Sequence, residues 1–181
     1  MDSNIKTGRI IGALLLLQVI AGILQNFVFT APLFGEPGFL INAAPHAEQI
    51  AQSALIGIGM GLLSLAVASL LYPLFKAHSQ PLALFYFALV VAGLALTVAE
   101  NVSVMSMLSL SKAYAEHGAA QEPLYQGLRI VVKETRNWTH YLSLIVSGAT
   151  LFTFYLAMFR FRMIPRLLAG FGLLACLSQI Y

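Results

Sequence analysis

Hydrophobic positions along this chain gather into five blocks, approximately 9–30, 47–75, 81–111, 138–160 and 164–181, separated by short polar or proline-bearing stretches. Each block approaches or exceeds the roughly 20 helical residues needed to cross a bilayer of ~30 Å hydrocarbon thickness. None alternates with the period of two that a barrel strand requires, and backbone amides in lipid must bond within their own segment. The pattern therefore predicts an all-α fold: a polytopic membrane bundle of five spans forming one domain over residues 1–181. Prolines and glycines punctuate it consistently. Pro32, Gly35, Pro37 and Gly38 end the first span, Pro45, Pro81, Pro123 and Pro165 stand where helices open, and Pro73 and Pro81 bracket a tight turn. The loop TAPLFGEPGFLINAAPHAEQ carries Phe34, Phe39, Leu40 and Ile41, which suits a segment capping the bundle or lying on the membrane.

Polar positions inside these blocks are few, and antiparallel helices bring them to one level. Gln25 and Asn26 lie near the end of span one; Gln49, Gln52 and Ser53 open span two. Glu100 and Asn101 lie in the later part of span three, and Asn137 and His140 begin span four. A carboxylate at such depth is costly and normally has a partner or a task. Before span four, Arg129, Lys133, Arg136 and His140 recur at intervals of four, three and four, hence on one helical face that continues to Ser143 and Ser147. Leu124, Leu128, Val131 and Val132 form an apolar stripe beside it, so an amphipathic helix feeds into span four.

Two readings of these groups compete. In the first, the helix lies flat with its cations on headgroups and with Trp138 and Tyr141 as anchors, while Glu100 merely pairs with Arg136, Lys133 or His140. In the second, the cluster is a site. Asn26, Gln52, Asn101, Arg129, Lys133 and Arg136 then bind a small amphiphile or lipid-like ligand near the outer leaflet, the basic groups holding its anionic head while Glu100 and Asn101 orient it. If the protein is an enzyme, Glu100 and His140 serve as acid and base on a lipidic substrate, as in a hydrolase or isomerase. No G-x-S-x-G nucleophile motif is present. A transporter or a structural subunit of a larger complex are the remaining alternatives.

Composition narrows the class further. With 59% hydrophobic and 9% charged residues, and a mean hydropathy of +0.83, the chain is far from the roughly one-quarter charged make-up of soluble domains. The net charge of +3 fits cationic loops and offers no nucleic-acid footprint. If the N-terminus is cytoplasmic, Lys6, Arg9, Lys76, Arg160, Arg162 and Arg166 lie inside and Lys112, Arg129, Lys133 and Arg136 outside, which favours that orientation. Lys6 and Arg9 precede a run without a small-x-small cleavage site, so it reads as a retained span. The lone Cys176 forms no internal disulfide and excludes thiol-ligated zinc or iron–sulfur sites within the chain. His46, His117 and His140 share no ligand spacing, and no metal or cofactor is expected. Gly57, Gly61, Ser53, Ser64 and Ala68 make a small-residue face on span two, as do Gln18, Gly22 and Gln25 on span one and Ala169, Gly172, Cys176 and Gln179 on span five. Such faces admit a neighbouring helix or a second copy of the chain. Met105 and Met107 read as core, and Tyr181 either as an interfacial residue ending span five or as a point beyond which the natural chain continues.

The stretch FRFRMIPRLLAGFGLLACLSQIY resembles the end of an uncharacterised bacterial multi-pass membrane family, a domain of unknown function, with its basic-x-x-x-Pro-Arg-Leu-Leu-x-Gly turn into a late span. An acid in a mid-chain span, here Glu100, and a histidine in the span before the turn, here His140, also fit. That family often has an arginine one turn before the acid, where this chain has Thr97. The resemblance implies a bacterial cytoplasmic-membrane protein, usually of six spans, so that this five-span chain resembles a member without its last; it implies no activity.

Overall fold

The computed structural model describes the backbone of residues 2–178, and the side chains of residues 5–176 apart from residue 119. Helix α1, Asp2–Leu24, runs into a π turn, Gln25–Phe29, followed by two short helices, α2 (Ala31–Phe34) and α3 (Phe39–Asn42). A 3-10 turn, Ala44–His46, leads into α4 (Ala47–Lys76); α5 (Gln80–His117), a second 3-10 turn (Gly118–Ala120), α6 (Glu122–Arg160) and α7 (Arg166–Ser178) complete the described chain. No strand occurs among the described residues, as the absence of alternation predicts.

Four helical stretches, Ile5–Phe29, Ala44–Lys76, Gln80–His117 and Glu122–Arg160, are long and apolar enough to cross a bilayer, which makes this a multi-pass membrane protein. The fifth block is shorter: α7 has 13 described residues, about 20 Å of helix at 1.5 Å per residue. Gln179 and Tyr181 lie outside the described residues. The amphipathic segment and span four form one continuous helix of 39 residues, because nothing between Pro123 and Pro165 interrupts the hydrogen-bond ladder. Pro73 differs from its expected place. It sits inside the last turns of α4, and the helix ends only where the amides of Ala77, His78 and Ser79 fold back onto the Pro73 and Phe75 carbonyls. Ser79 then caps α5, accepting from the Leu82 amide at 3.5 Å.

The helices pack in chain order, α1 on α4, α4 on α5, α5 on α6 and α6 on α7. The small-residue face of α4 makes this possible. A Cβ on Gly61 would sit 2.6 Å from Leu94 Cδ1, and one on Gly57 would sit 2.7 Å from both Asn101 Nδ2 and Gln25 Nε2. Gln18 Nε2 binds α1 to α4 through the Met60 carbonyl at 3.1 Å and Ser64 Oγ at 2.8 Å. On α7, Ala169 and Cys176 are buried and Gly172 lies against the Tyr155 ring. These faces are thus occupied within the chain.

Two apolar cores stand at opposite ends. One joins Val67, Leu71, Phe75, Tyr86, Met158 and Ala169; the other gathers Leu33, Phe39, Leu40, Ile50, Met107 and Leu108 under the α2–α3 segment. Met107 is core, as expected, and Met105 packs against it. The α2–α3 segment caps its end of the bundle and is tied down by Ser111, whose buried hydroxyl donates to the Leu40 carbonyl at 2.9 Å and accepts from the Ala44 amide at 2.8 Å. Between the cores the packing opens. Helices α1 and α6 face each other across α4 and α5 without a packed interface of their own, leaving a cleft.

Candidate functional site

The cleft has a polar and an apolar part. Its polar chamber, about 330 Å³, is walled by all four long helices and holds Glu100, Asn101 and Thr97 from α5, Ser53 from α4, and Arg136 and His140 from α6. The apolar chamber, also about 330 Å³, extends away from it along Leu15, Val90, Leu94 and Leu151. Met60, Gly61, Ser64, Thr97, Ser143 and Ser147 border both, so the two chambers adjoin.

Glu100 is the centre of the polar part. Its Oε1 accepts from His140 Nδ1 at 2.8 Å and from Arg136 Nη2 at 3.2 Å, while no described residue bonds to Oε2. The Glu100 and Arg136 side chains are only 20% and 13% exposed. An ion pair this enclosed interacts far more strongly than one in water, though each partner has also lost its hydration. Arg136 is held from its other side by Phe34 of α2, with its guanidinium carbon 4.8 Å from the ring centroid. Its Nε is buried without a partner among the described residues. The intervals along α6 explain the arrangement: Arg136 and His140 are one helical turn apart, so both reach the single carboxylate facing them.

The amides and hydroxyls around the pair are oriented by helix backbone. Asn101, buried, donates to the Thr97 carbonyl at 2.8 Å, and Gln25 donates to the Ser53 carbonyl at 3.1 Å. Gln25 occupies the π turn, where the extra residue per turn shifts the side chains that follow it. Asn26 borders the chamber, but its own amide returns to the Gly22 carbonyl at 2.9 Å. Ser53 Oγ is fully buried, borders the chamber and finds no partner among the described residues. A buried hydroxyl in that state is unusual and marks a place where a bound polar group would gain a hydrogen bond.

The expected residues thus divide into three groups. Glu100, Asn101, Asn26, Arg136 and His140 come together. Gln52 is exposed and not part of the chamber wall; its neighbour Ser53, one helical step around α4, takes that place. Arg129 and Lys133 line a separate cavity of about 240 Å³ beneath the 33–39 loop, and only Arg136 borders both spaces. His46 bonds the Asn42 carbonyl and His117 lies beside Glu116, so neither joins His140. Ser53, Gln25 and Phe34 carry more of the geometry than the sequence suggested. The small-residue spacing of α4 was the available signal for Ser53, and nothing local marked Phe34.

What the arrangement offers chemically is a carboxylate with one free oxygen, an imidazole whose Nδ1 is engaged and whose Nε2 is not bonded to a described residue, and a buried unpaired hydroxyl, all at the mouth of an apolar slot. No curated protein and no solved structure matches the chain. A family model does match, over residues 10–181, and its span includes every element of the cleft together with the basic-Pro-Arg-Leu-Leu turn. The chain belongs to the family described as Domain of unknown function (DUF4386).

Proposed function

We propose that this protein binds a single-chain amphiphile, with its polar head at Glu100, Ser53 and Asn101 and its hydrocarbon chain in the apolar chamber. The observation that carries this reading is that the two chambers adjoin along six shared residues, one holding the unsatisfied Ser53 Oγ and Arg136 Nε and the other lined by Leu15, Val90, Leu94 and Leu151. A chain entering between α1 and α6 need not cross a packed helix interface. The free Glu100 Oε2 favours a head that donates a hydrogen bond, such as a hydroxyl or an amine. With the N-terminus in the cytoplasm of a bacterial cell, as the loop cations favour, the polar chamber lies toward the outer leaflet of the cytoplasmic membrane.

The test is binding to the full chain in phosphatidylcholine nanodiscs, comparing dodecanol with dodecane. Dodecanol is expected to raise the melting temperature at concentrations where dodecane does not, because only the alcohol satisfies Oε2 and Ser53 Oγ. Glu100→Gln, which removes the charge but keeps the shape, is expected to weaken dodecanol binding about tenfold, the loss of one hydrogen bond to a charged group. Equal effects of alcohol and alkane contradict the reading.

One observation favours a second reading. The 2.8 Å bond between Glu100 and His140 Nδ1 is the arrangement in which a carboxylate orients an imidazole for proton transfer at Nε2. No serine or cysteine bonds His140 among the described residues, so this reading is confined to proton transfer or water attack on a lipidic substrate.

A further inference from the structure

The cavity beneath the 33–39 loop is a second, separate site. Arg129, Lys133 and Arg136 stand at i, i+4 and i+7 on α6, and all three border it together with Asn137. Its other walls are Leu33, Phe34, Phe39 and Met107 and the Gly35–Gly38 backbone, and the one carboxylate facing it is Glu36. Arg129 and Lys133 form no ion pair among the described residues; Arg129 reaches only the Gln126 side-chain oxygen, at 3.4 Å. Glu134, the next acid on α6, borders the opposite side of Arg129 and Lys133. Arg136 is matched by Glu100 through Nη2 but keeps a buried, unbonded Nε.

The loop that covers these cations is built to stay there. Asn42 Nδ2 ties back the Gly35 carbonyl at 2.9 Å and the Glu36 carbonyl at 3.2 Å, and Ser111 pins the far side of α3. Gly38 has φ 114° and ψ 169°, a conformation open essentially to glycine alone. A Cβ there would lie 3.1 Å from Arg129 Nη2, so the glycine lets the loop close directly over the guanidinium. Two arginines and a lysine converging on one cavity suit an anion with more than one charge and several acceptor oxygens, the pattern of phosphate recognition.

We propose that this cavity binds a phosphoryl group, free or carried on a lipid headgroup, between Arg129, Lys133 and Arg136. Because Arg136 borders both spaces, the site is coupled to Glu100: the carboxylate draws the guanidinium away from the anion.

The experiment titrates the full chain, in an uncharged maltoside detergent, with inorganic phosphate and separately with dihexanoyl phosphatidic acid, followed by calorimetry. At least one is expected to saturate a single site. Binding of both identifies a bare phosphoryl site, and binding of the lipid alone identifies a headgroup site. Arg129→Gln and Lys133→Gln should each weaken binding about tenfold, and Glu100→Gln should strengthen it. Should Arg129→Gln fail to fold, exposed Lys133 provides the same readout with little risk to the bundle. The proposal is overturned if neither probe binds, or if binding is indifferent to Lys133→Gln.

Discussion

Replacing Glu100 by leucine should lower the stability of the detergent-solubilised protein by about 3 kcal/mol, the scale of leaving one member of an enclosed ion pair without its partner. The cost arises from Arg136 more than from Glu100. With its carboxylate gone, the guanidinium keeps Phe34 beneath it but has no countercharge inside the bundle. Glu100→Gln should cost less, about 1–2 kcal/mol, because an amide oxygen still accepts from Arg136 and His140. Arg136→Met combined with Glu100→Leu should recover part of the loss, since a matched apolar pair leaves no buried charge. Chemical denaturation of the unsubstituted protein, Glu100→Leu, Arg136→Met and the double variant in one detergent gives the coupling energy. A value of about 1–3 kcal/mol is expected, and strict additivity would mean that the two side chains do not meet.

Gly57→Ala is the second large effect, and the comparison with Gly61→Ala makes it specific. Both new methyl groups meet the end of a neighbouring side chain, at 2.7 Å for Gly57 and 2.6 Å for Gly61. Leu94 can swing from Gly61 at small cost. Gln25 and Asn101, by contrast, are each fixed by a hydrogen bond to a helix carbonyl and lose it when they move. Gly57→Ala should therefore cost about 2 kcal/mol and Gly61→Ala less than half of that, read from the same denaturation experiment. Gly57→Ala should also weaken amphiphile binding, because both displaced amides border the polar chamber. Equal costs at the two glycines would mean that the Gln25 and Asn101 hydrogen bonds do not fix those side chains beside Gly57.

Much of this is legible in the sequence because a bilayer leaves a helix few choices. Apolar block length marks the helices, the intervals of four, three and four place Arg136 and His140 on one face, and the scarcity of acids in apolar segments singles out Glu100. What the sequence conceals is rotation and enclosure. Gln52 and Ser53 are adjacent and both polar, yet about 100° of helix rotation separates an exposed side chain from a buried one, and only the packing of α4 against α1 and α5 decides between them. The basic stripe reads as one site because its residues share a face. The structure divides it, since Phe34 reaches α6 from a short helix with no periodic signal, and Arg129 and Lys133 border a cavity of their own beside the 33–39 loop. The length of α7 is likewise hidden, because hydropathy continues through residues 164–181 whether or not the helix crosses a bilayer.

Photolabelling tests the occupied cleft most directly. A fatty alcohol with a diazirine midway along its chain is added to the protein in nanodiscs, irradiated, and the modified residues are identified by peptide mass spectrometry, with and without excess dodecanol. Label that dodecanol displaces should appear on Val90 and Leu94, which line the apolar chamber behind Glu100. Label confined to exposed positions such as Leu55 and Val102, and unchanged by the competitor, would contradict it.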